Sequence, residues 1–322
     1  MSKKIDEFRM PAEWEPQKSV WIAWPHNKND WPGLFKKIPN VVGKIIKYLT
    51  KYQRIDLLVN NTKSIDTTRI YLKKIGCNIS NIKFHKLKTD RLWLRDSGPI
   101  FLVNKKNRKK IMLDFKFNAW SKYKNFKNDN KINSHISKYL NIESILPRKV
   151  NSKKFVRVVM EGGAFDNNGS GSILLTKECL LSSKQERNKG FKKIDYENLF
   201  SKYFNAKNFI WLNKGIVGDD THGHIDDIAR FVSKSTIMIA IENNRSDKNY
   251  KALKENLKIL SNSYDEKGKK FKIIKIPMPS PVIIDKTRVP ASYLNFFISN
   301  KMVLVPVFNV KAVSYTHLTL PT

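Results

Sequence analysis

The sequence is poor in cysteine, in acidic residues and in long apolar runs. Two cysteines, Cys77 and Cys179, cannot build a disulfide framework, which argues for a reducing compartment, the cytoplasm, over a secreted setting. No apolar run reaches the ~20 residues that span a bilayer, and the opening MSKKIDEFRMPAEW lacks the apolar stretch of a signal peptide. No linker or low-complexity tract divides the chain. Acids number 28 against 61 Lys plus Arg, a formal net charge of +33. Hydrophobic residues make up 41% of the 322, and aromatic and β-branched residues run throughout, which excludes global disorder. The length suits one large domain or two small ones.

So much positive charge raises the prospect of nucleic acid, since Lys and Arg neutralise phosphates. Only 12 of the cations are Arg and 49 are Lys, whereas bidentate phosphate and base contacts favour the planar guanidinium. The lysines are scattered through surface-like stretches such as Asn104–Lys110, Lys122–Lys131 and Lys267–Lys272. They read as a solvated exterior, with no nucleic-acid or membrane partner.

Apolar strand-like runs alternate with amphipathic helices. Lys18–Trp24 and Arg54–Val59 have strand patterns, and helices are expected near Leu34–Tyr52, Ser64–Ile75, Lys131–Leu140, Asp195–Phe204 and Asp247–Leu260. A second pattern recurs between them, in which a polar residue leads a strand, a polar turn and a very apolar strand. Asp96, Glu161, His224 and Asn295 are these leading residues, 65, 63 and 71 residues apart. A period of that size, with strands and a helix in each copy, suggests a closed radial array whose leading residues converge near its axis.

Three windows carry the candidate chemistry. DRLWLRDSGP (Asp90–Pro99) places Asp96 before a Gly-Pro break, where a plain capped turn is the competing explanation. Glu161-Gly162-Gly163 follows the apolar run Phe155–Met160, read as a buried strand that ends on a carboxylate in need of a partner or a task. In GDDTHGHIDDIARF (Gly218–Phe231), an extended Thr221–Asp227 puts His222, His224 and Asp226 on one face. That leaves two chemistries open: a divalent-metal site, or acid–base work by one His oriented by carboxylates. Besides Asp90, which opens the first window, seven of the 28 acids (Asp96, Glu161, Asp166, Asp219, Asp220, Asp226 and Asp227) fall in these windows or within three residues of them. In so basic a chain, that gathering suits a cationic ligand, a planar guanidinium above all.

MPAEWEP (Met10–Pro16), WIAWPHNKNDWPG (Trp21–Gly33), WLRDSGP (Trp93–Pro99), EGG (Glu161–Gly163), GDDTHGHIDDIARF and PASYLNFFI (Pro290–Ile298) together resemble the agmatine and peptidyl-arginine deiminase family of guanidino-group-modifying enzymes. The match runs in order from about Met10 to Phe308. The resemblance implies an α/β fold, a five-bladed pseudo-symmetric propeller of the pentein type, with the active site on its axis. It implies hydrolysis of agmatine to N-carbamoylputrescine and ammonia, a step of putrescine biosynthesis, through a Cys-amidino intermediate with neither metal nor cofactor. Carried over by motif, Asp96 and Asp226 grip the guanidinium, and His224 protonates the leaving ammonia and then activates water. Glu161 binds and polarises the guanidinium, Asn295 lines the site, and Trp93 and Trp120 wall the pocket. Peptidyl or free arginine is the alternative substrate within the family. A non-catalytic guanidine- or nucleic-acid-binding protein is the alternative from another class, and a homo-oligomer is compatible with either.

The sequence departs from the family pattern at the nucleophile. The family's thiolate lies near the C-terminus, and the next leading position would fall near residue 361, beyond Thr322. Cys77 reads as a small core residue and Cys179 follows the Glu161 hairpin. Val313–Thr322 (VSYTHLTLPT) fits neither repeat nor family and reads as a non-native tail, which makes 1–310 a single deiminase domain with its last blade incomplete and 311–322 foreign. The missing strand is expected to pair with Ser19–Trp24 and close the ring, so the chain as given is expected to be open-edged and inactive. Ala164 stands where the family commonly has Asn, and Ser97 keeps the hydroxyl of the usual Thr.

Overall fold

The computed structural model describes residues 5–308, and the region 311–322 therefore lies outside the described residues. Contacts separate the chain into two compact units. The first comprises the described residues up to Gly163 together with Gln185–Ala206 and Ile298–Leu304, and the second comprises Ala164–Lys184, Lys207–Phe297 and the described residues from Val305.

In the first unit, strands Ser19–Ala23, Arg54–Val59 and Ile82–Lys86 form a parallel sheet. Helices Ile38–Leu49 and Thr62–Lys74 supply the two crossovers. The central strand, RIDLLV, is buried from Ile55 to Val59, as a strand covered on both faces requires. Asn61 starts the second helix by accepting the Ser64 backbone N–H at 2.9 Å. A second sheet has the order Phe8–Arg9, Ile100–Asn104, Lys110–Leu113, Ser144–Ile145. Its middle two strands form an antiparallel hairpin, and the helix Ile132–Leu140 then returns the chain to a parallel strand. Ile132 and Ile136 on that helix pack with Ala23, Leu58 and Met112, which ties the two sheets into one core.

The second unit repeats the hairpin-plus-parallel-strand pattern twice. Phe165–Asn167 pairs antiparallel with Ser172–Thr176, beside which Asn208–Leu212 runs parallel. Ala229–Ser233 pairs antiparallel with Thr236–Ile241, and Lys272–Pro277 runs parallel after the helix Tyr250–Ser261. The fourth leading residue, Asn295, precedes a short hairpin of Phe297–Ser299 and Met302–Leu304. Among the described residues, Ser19–Ala23 is an edge strand. The corresponding strand of the other three sheets has an antiparallel neighbour at that edge. Among the same residues, no helix is long and apolar enough to cross a membrane.

Two expectations of extended chain are corrected. Phe155–Met160 forms no strand: it joins its neighbours through the single bridges Lys116–Val159 and Arg148–Arg157, and Phe155 and Val156 are exposed. Thr221–Asp227 is not extended either. His222 and Gly223 have φ of 64° and 92°, and Ile225–Asp227 is a 3-10 turn, so the alternation that put His222, His224 and Asp226 on one face does not arise. His222 instead lies 3.2 Å from the Ser182 hydroxyl.

Candidate active site

Asp96 lies within a one-turn helix, Leu94–Ser97, that Gly98 and Pro99 bring to an end. Its carboxylate is buried and accepts two charge-assisted hydrogen bonds. Oδ1 takes the Gly163 backbone N–H at 3.0 Å and Oδ2 takes the Trp120 indole N–H at 2.9 Å. The first of these joins the DSGP and EGG windows. Their backbones approach so closely that a Cβ on Gly162 would lie 2.2 Å from the Arg95 carbonyl oxygen, which is the physical reason for glycine at that position.

Glu161 is fully buried, and its Oε1 pairs with Arg187 Nε at 3.0 Å, both side chains having no exposure. A carboxylate so deep demands a partner, and this one has a guanidinium supplied by the chain itself. Arg187 is in turn fixed by donating from Nη1 to the Gln185 carbonyl at 2.9 Å.

Trp120 was expected to wall the pocket. Its ring is buried, set edge-on to Phe117 and Tyr123. It stands on three consecutive left-handed residues, Ala119, Trp120 and Ser121, with φ of 50°, 57° and 53°. Each such conformation costs a residue with a Cβ about 1–2 kcal/mol. Local hydrogen bonds offset that strain: Asn118 Oδ1 accepts the Ser121 N–H at 3.0 Å, Ser121 Oγ donates to the Glu186 carbonyl at 2.6 Å, and Gln185 Nε2 donates to the Trp120 carbonyl at 3.1 Å. Trp93 is partly exposed and packs on Trp31, with ring centroids 5.4 Å apart.

In the second unit, Asp219 organises the loop that carries His224. Its Oδ2 accepts the N–H groups of Gly223 and His224 at 2.7 and 3.0 Å, and its Oδ1 accepts the Thr221 N–H at 2.8 Å. The Thr176 hydroxyl donates to the Gly223 carbonyl. His224 itself is buried, Asp226 and Asp227 are half-buried, and Asn295 is exposed. Loss of surrounding water, followed by the negative charges of Asp226 and Asp219, pushes the Asp227 carboxyl well above the usual carboxylate range. Asn295 Nδ2 donates to Asp227 Oδ1 at 3.1 Å. Arg230 holds the segment next to Asn295 by donating to the Leu294 and Phe296 carbonyls, and it pairs with Asp166 at 3.4 Å. Cys179 Sγ lies within 4.8 Å of a His224 ring nitrogen, on a short helix whose first turn Thr176 caps.

The first unit thus joins Asp96, Trp120 and the Glu161 segment, and the second joins His224, Asp226, Asp227 and Asn295. Three of the seven gathered acids have internal tasks: Glu161 faces Arg187, Asp166 faces Arg230, and Asp219 caps a loop. Sequence reasoning missed Arg187, the loop-organising task of Asp219 and the nearness of Cys179 to His224. QERNKG reads as an ordinary polar loop, and nothing in it signals a buried arginine.

Comparison with known proteins adds the following. Residues 9–317 match the family model described as Porphyromonas-type peptidyl-arginine deiminase. A Legionella pneumophila protein named "Putative agmatine deiminase" is 32% identical over 307 residues, covering 95% of this chain and 83% of that protein. Among solved structures, a cysteine-to-serine variant of C. jejuni agmatine deiminase with substrate bound superposes with a TM-score of 0.80 at 28% identity, covering 94% of this chain and 84% of that one. An Enterococcus faecalis agmatine deiminase does so with a TM-score of 0.81 at 26% identity, covering 96% and 86%. The mixed α/β fold of the described residues is the fold of these enzymes.

Proposed function

The chain belongs to the Porphyromonas-type peptidyl-arginine deiminase family, and from that premise we propose that it recognises agmatine and carries most of a site for its hydrolysis to N-carbamoylputrescine and ammonia, in the cytoplasm. The observation that carries this reading is Asp96, a buried carboxylate oriented in advance by Trp120 Nε1 and Gly163 N. A guanidinium stays protonated at ordinary pH. It therefore needs acceptors that are already aligned, because reorientation during binding lowers affinity. Asp96 and Asp226 grip the guanidinium and Glu161 polarises it. His224 serves first as acid toward the leaving ammonia and then as base toward water, Asn295 and Trp93 complete the lining, and Trp120 contributes through Asp96. The five-bladed arrangement of the family is part of this proposal, and what supports it is the hairpin-plus-parallel-strand pattern that recurs in three sheets, at residues 100–145, 165–212 and 229–277.

The reaction proceeds by attack of a thiolate on the guanidinium carbon, and the relative solved with its substrate is a cysteine-to-serine variant. Neither cysteine of this chain suits that task. Cys77 is buried, 3.7 Å from the Gly43 carbonyl, with its thiol pushed up by burial. Cys179 is wholly buried on its capped helix. With neither cysteine placed for the attack, the proposal is that the protein binds agmatine without turning it over.

Isothermal calorimetry and ammonia release test both halves of the proposal. Agmatine is expected to bind at least about tenfold more tightly than arginine, and ammonia is expected to stay at background. Equal binding of arginine would move the assignment to an arginine deiminase. Release of ammonia, or a covalent adduct on Cys179 detected by mass spectrometry, would overturn the claim of inactivity.

A further inference from the structure

Asp30, Arg91 and Trp120 form a chain of contacts that ends on Asp96. Arg91 Nη1 lies 2.5 Å from Asp30 Oδ1, and its Nη2 donates to Asn125 Oδ1 at 2.8 Å. Both ion-pair side chains are more than nine-tenths buried. The Arg91 guanidinium carbon lies 4.1 Å from the centroid of the Tyr123 ring and 5.5 Å from that of Trp120. The Trp120 indole N–H meets Asp96 Oδ2 at 2.9 Å.

A surface arginine that only added solubility would not be buried with both ends fixed. Nor would a tryptophan that only filled space need three successive left-handed residues beneath it. The backbone strain makes sense if the direction of the indole N–H matters. A cation on the ring face holds the indole in place and draws electron density from it, which strengthens the N–H as a donor. Asp96 then meets a donor that does not move when a guanidinium arrives.

We propose that Arg91, anchored by Asp30, is a positioning residue for guanidinium binding, acting through the left-handed turn and indole N–H of Trp120 to fix the Asp96 carboxylate. This rests on the agmatine-binding reading above and adds to it two residues, Asp30 and Arg91, to which the family resemblance assigned no role.

The test uses the chain as it stands, with Trp120→Phe, Arg91→Leu, Arg91→Lys and Asp30→Asn. Trp120→Phe keeps an aromatic face but removes the indole N–H together with the pyrrole half of the ring system. It is expected to weaken agmatine about tenfold, the scale of one charge-assisted hydrogen bond, and to move the acid limb of the binding–pH profile upward. Arg91→Leu and Asp30→Asn are expected to weaken binding several-fold with the same upward movement, and Arg91→Lys, which keeps the charge but not the planar face, to recover part of it. Thermal melts identify variants that fail to fold, and Trp120→Phe is then the deciding variant. Unchanged affinity and pH profile in folded Trp120→Phe and Arg91→Leu would overturn the proposal. Absence of agmatine binding by the parent chain would instead overturn the agmatine reading. Titration of Asp96 by carboxyl carbon NMR then decides the positioning claim without substrate: a midpoint raised in Trp120→Phe and Arg91→Leu supports it, and an unmoved midpoint refutes it.

Discussion

Arg187 and Glu161 show how a single residue can redirect the reading of a site. Removal of one partner from a buried ion pair leaves an uncompensated charge and costs about 3–5 kcal/mol, whereas replacement of both by apolar groups is often near neutral. Arg187→Met is therefore expected to lower stability by that amount in urea denaturation. The double change Arg187→Met with Glu161→Met should recover most of the loss. A single variant that lost less than about 1 kcal/mol would show that the pair is not the buried unit described here. Asp96, Glu161, His224 and Asn295 stood out in the sequence because each opens a recurring segment, and period is a sequence property, whereas Asp226 stood out only within the acidic stretch after His224. The tasks of Arg187, Arg91 and Asp219 were not legible, since each of these acts on a residue 26, 29 or 5 positions away through a contact that only the folded chain creates.

Elements followed the same division. Helical periodicity placed the helices to within a few residues: Leu34–Tyr52 expected against Ile38–Leu49 found, and Asp247–Leu260 against Tyr250–Ser261. Apolar runs without periodicity misled at Phe155–Met160, because an apolar sequence alone says nothing about which edge pairs with it. The surface-like stretch Asn104–Lys110 forms the turn between the strands Ile100–Asn104 and Lys110–Leu113. Within that turn, Arg108 is exposed and left-handed at φ 57°. Glycine adopts that conformation without a Cβ clash. Arg108→Gly should raise stability by up to about 1 kcal/mol in chemical denaturation. A loss of stability would mean that the arginine side chain contributes more than its backbone strain costs.

For the whole molecule, a net charge of +33 sets a background of self-repulsion against which individual acids are informative. Asp129 is the clearest case. Its Oδ1 accepts the Asp90 and Arg91 backbone N–H groups at 2.7 and 3.3 Å, while its Oδ2 is buried with no partner. Burial is the largest influence, and it pushes the carboxyl up to about 6. The folded chain thus holds a proton between about 4 and 6 that the unfolded chain has released, so Asp129 lowers stability as pH rises through that window. His135 works in the opposite sense. Burial and the neighbouring His85 hold it below the usual histidine value, so its contribution is present at neutral pH and lost on acidification. The pH profile of the parent chain mixes the two, whereas the difference between Asp129→Asn and the parent cancels the histidine. Asparagine keeps the Oδ1 acceptor and cannot ionise. Asp129→Asn is therefore expected to be about 1–3 kcal/mol more stable than the parent at pH 8 and nearly equal to it at pH 4, measured by urea denaturation at both. A gain of the same size at both pH values would show that the effect comes from packing and not from the buried charge.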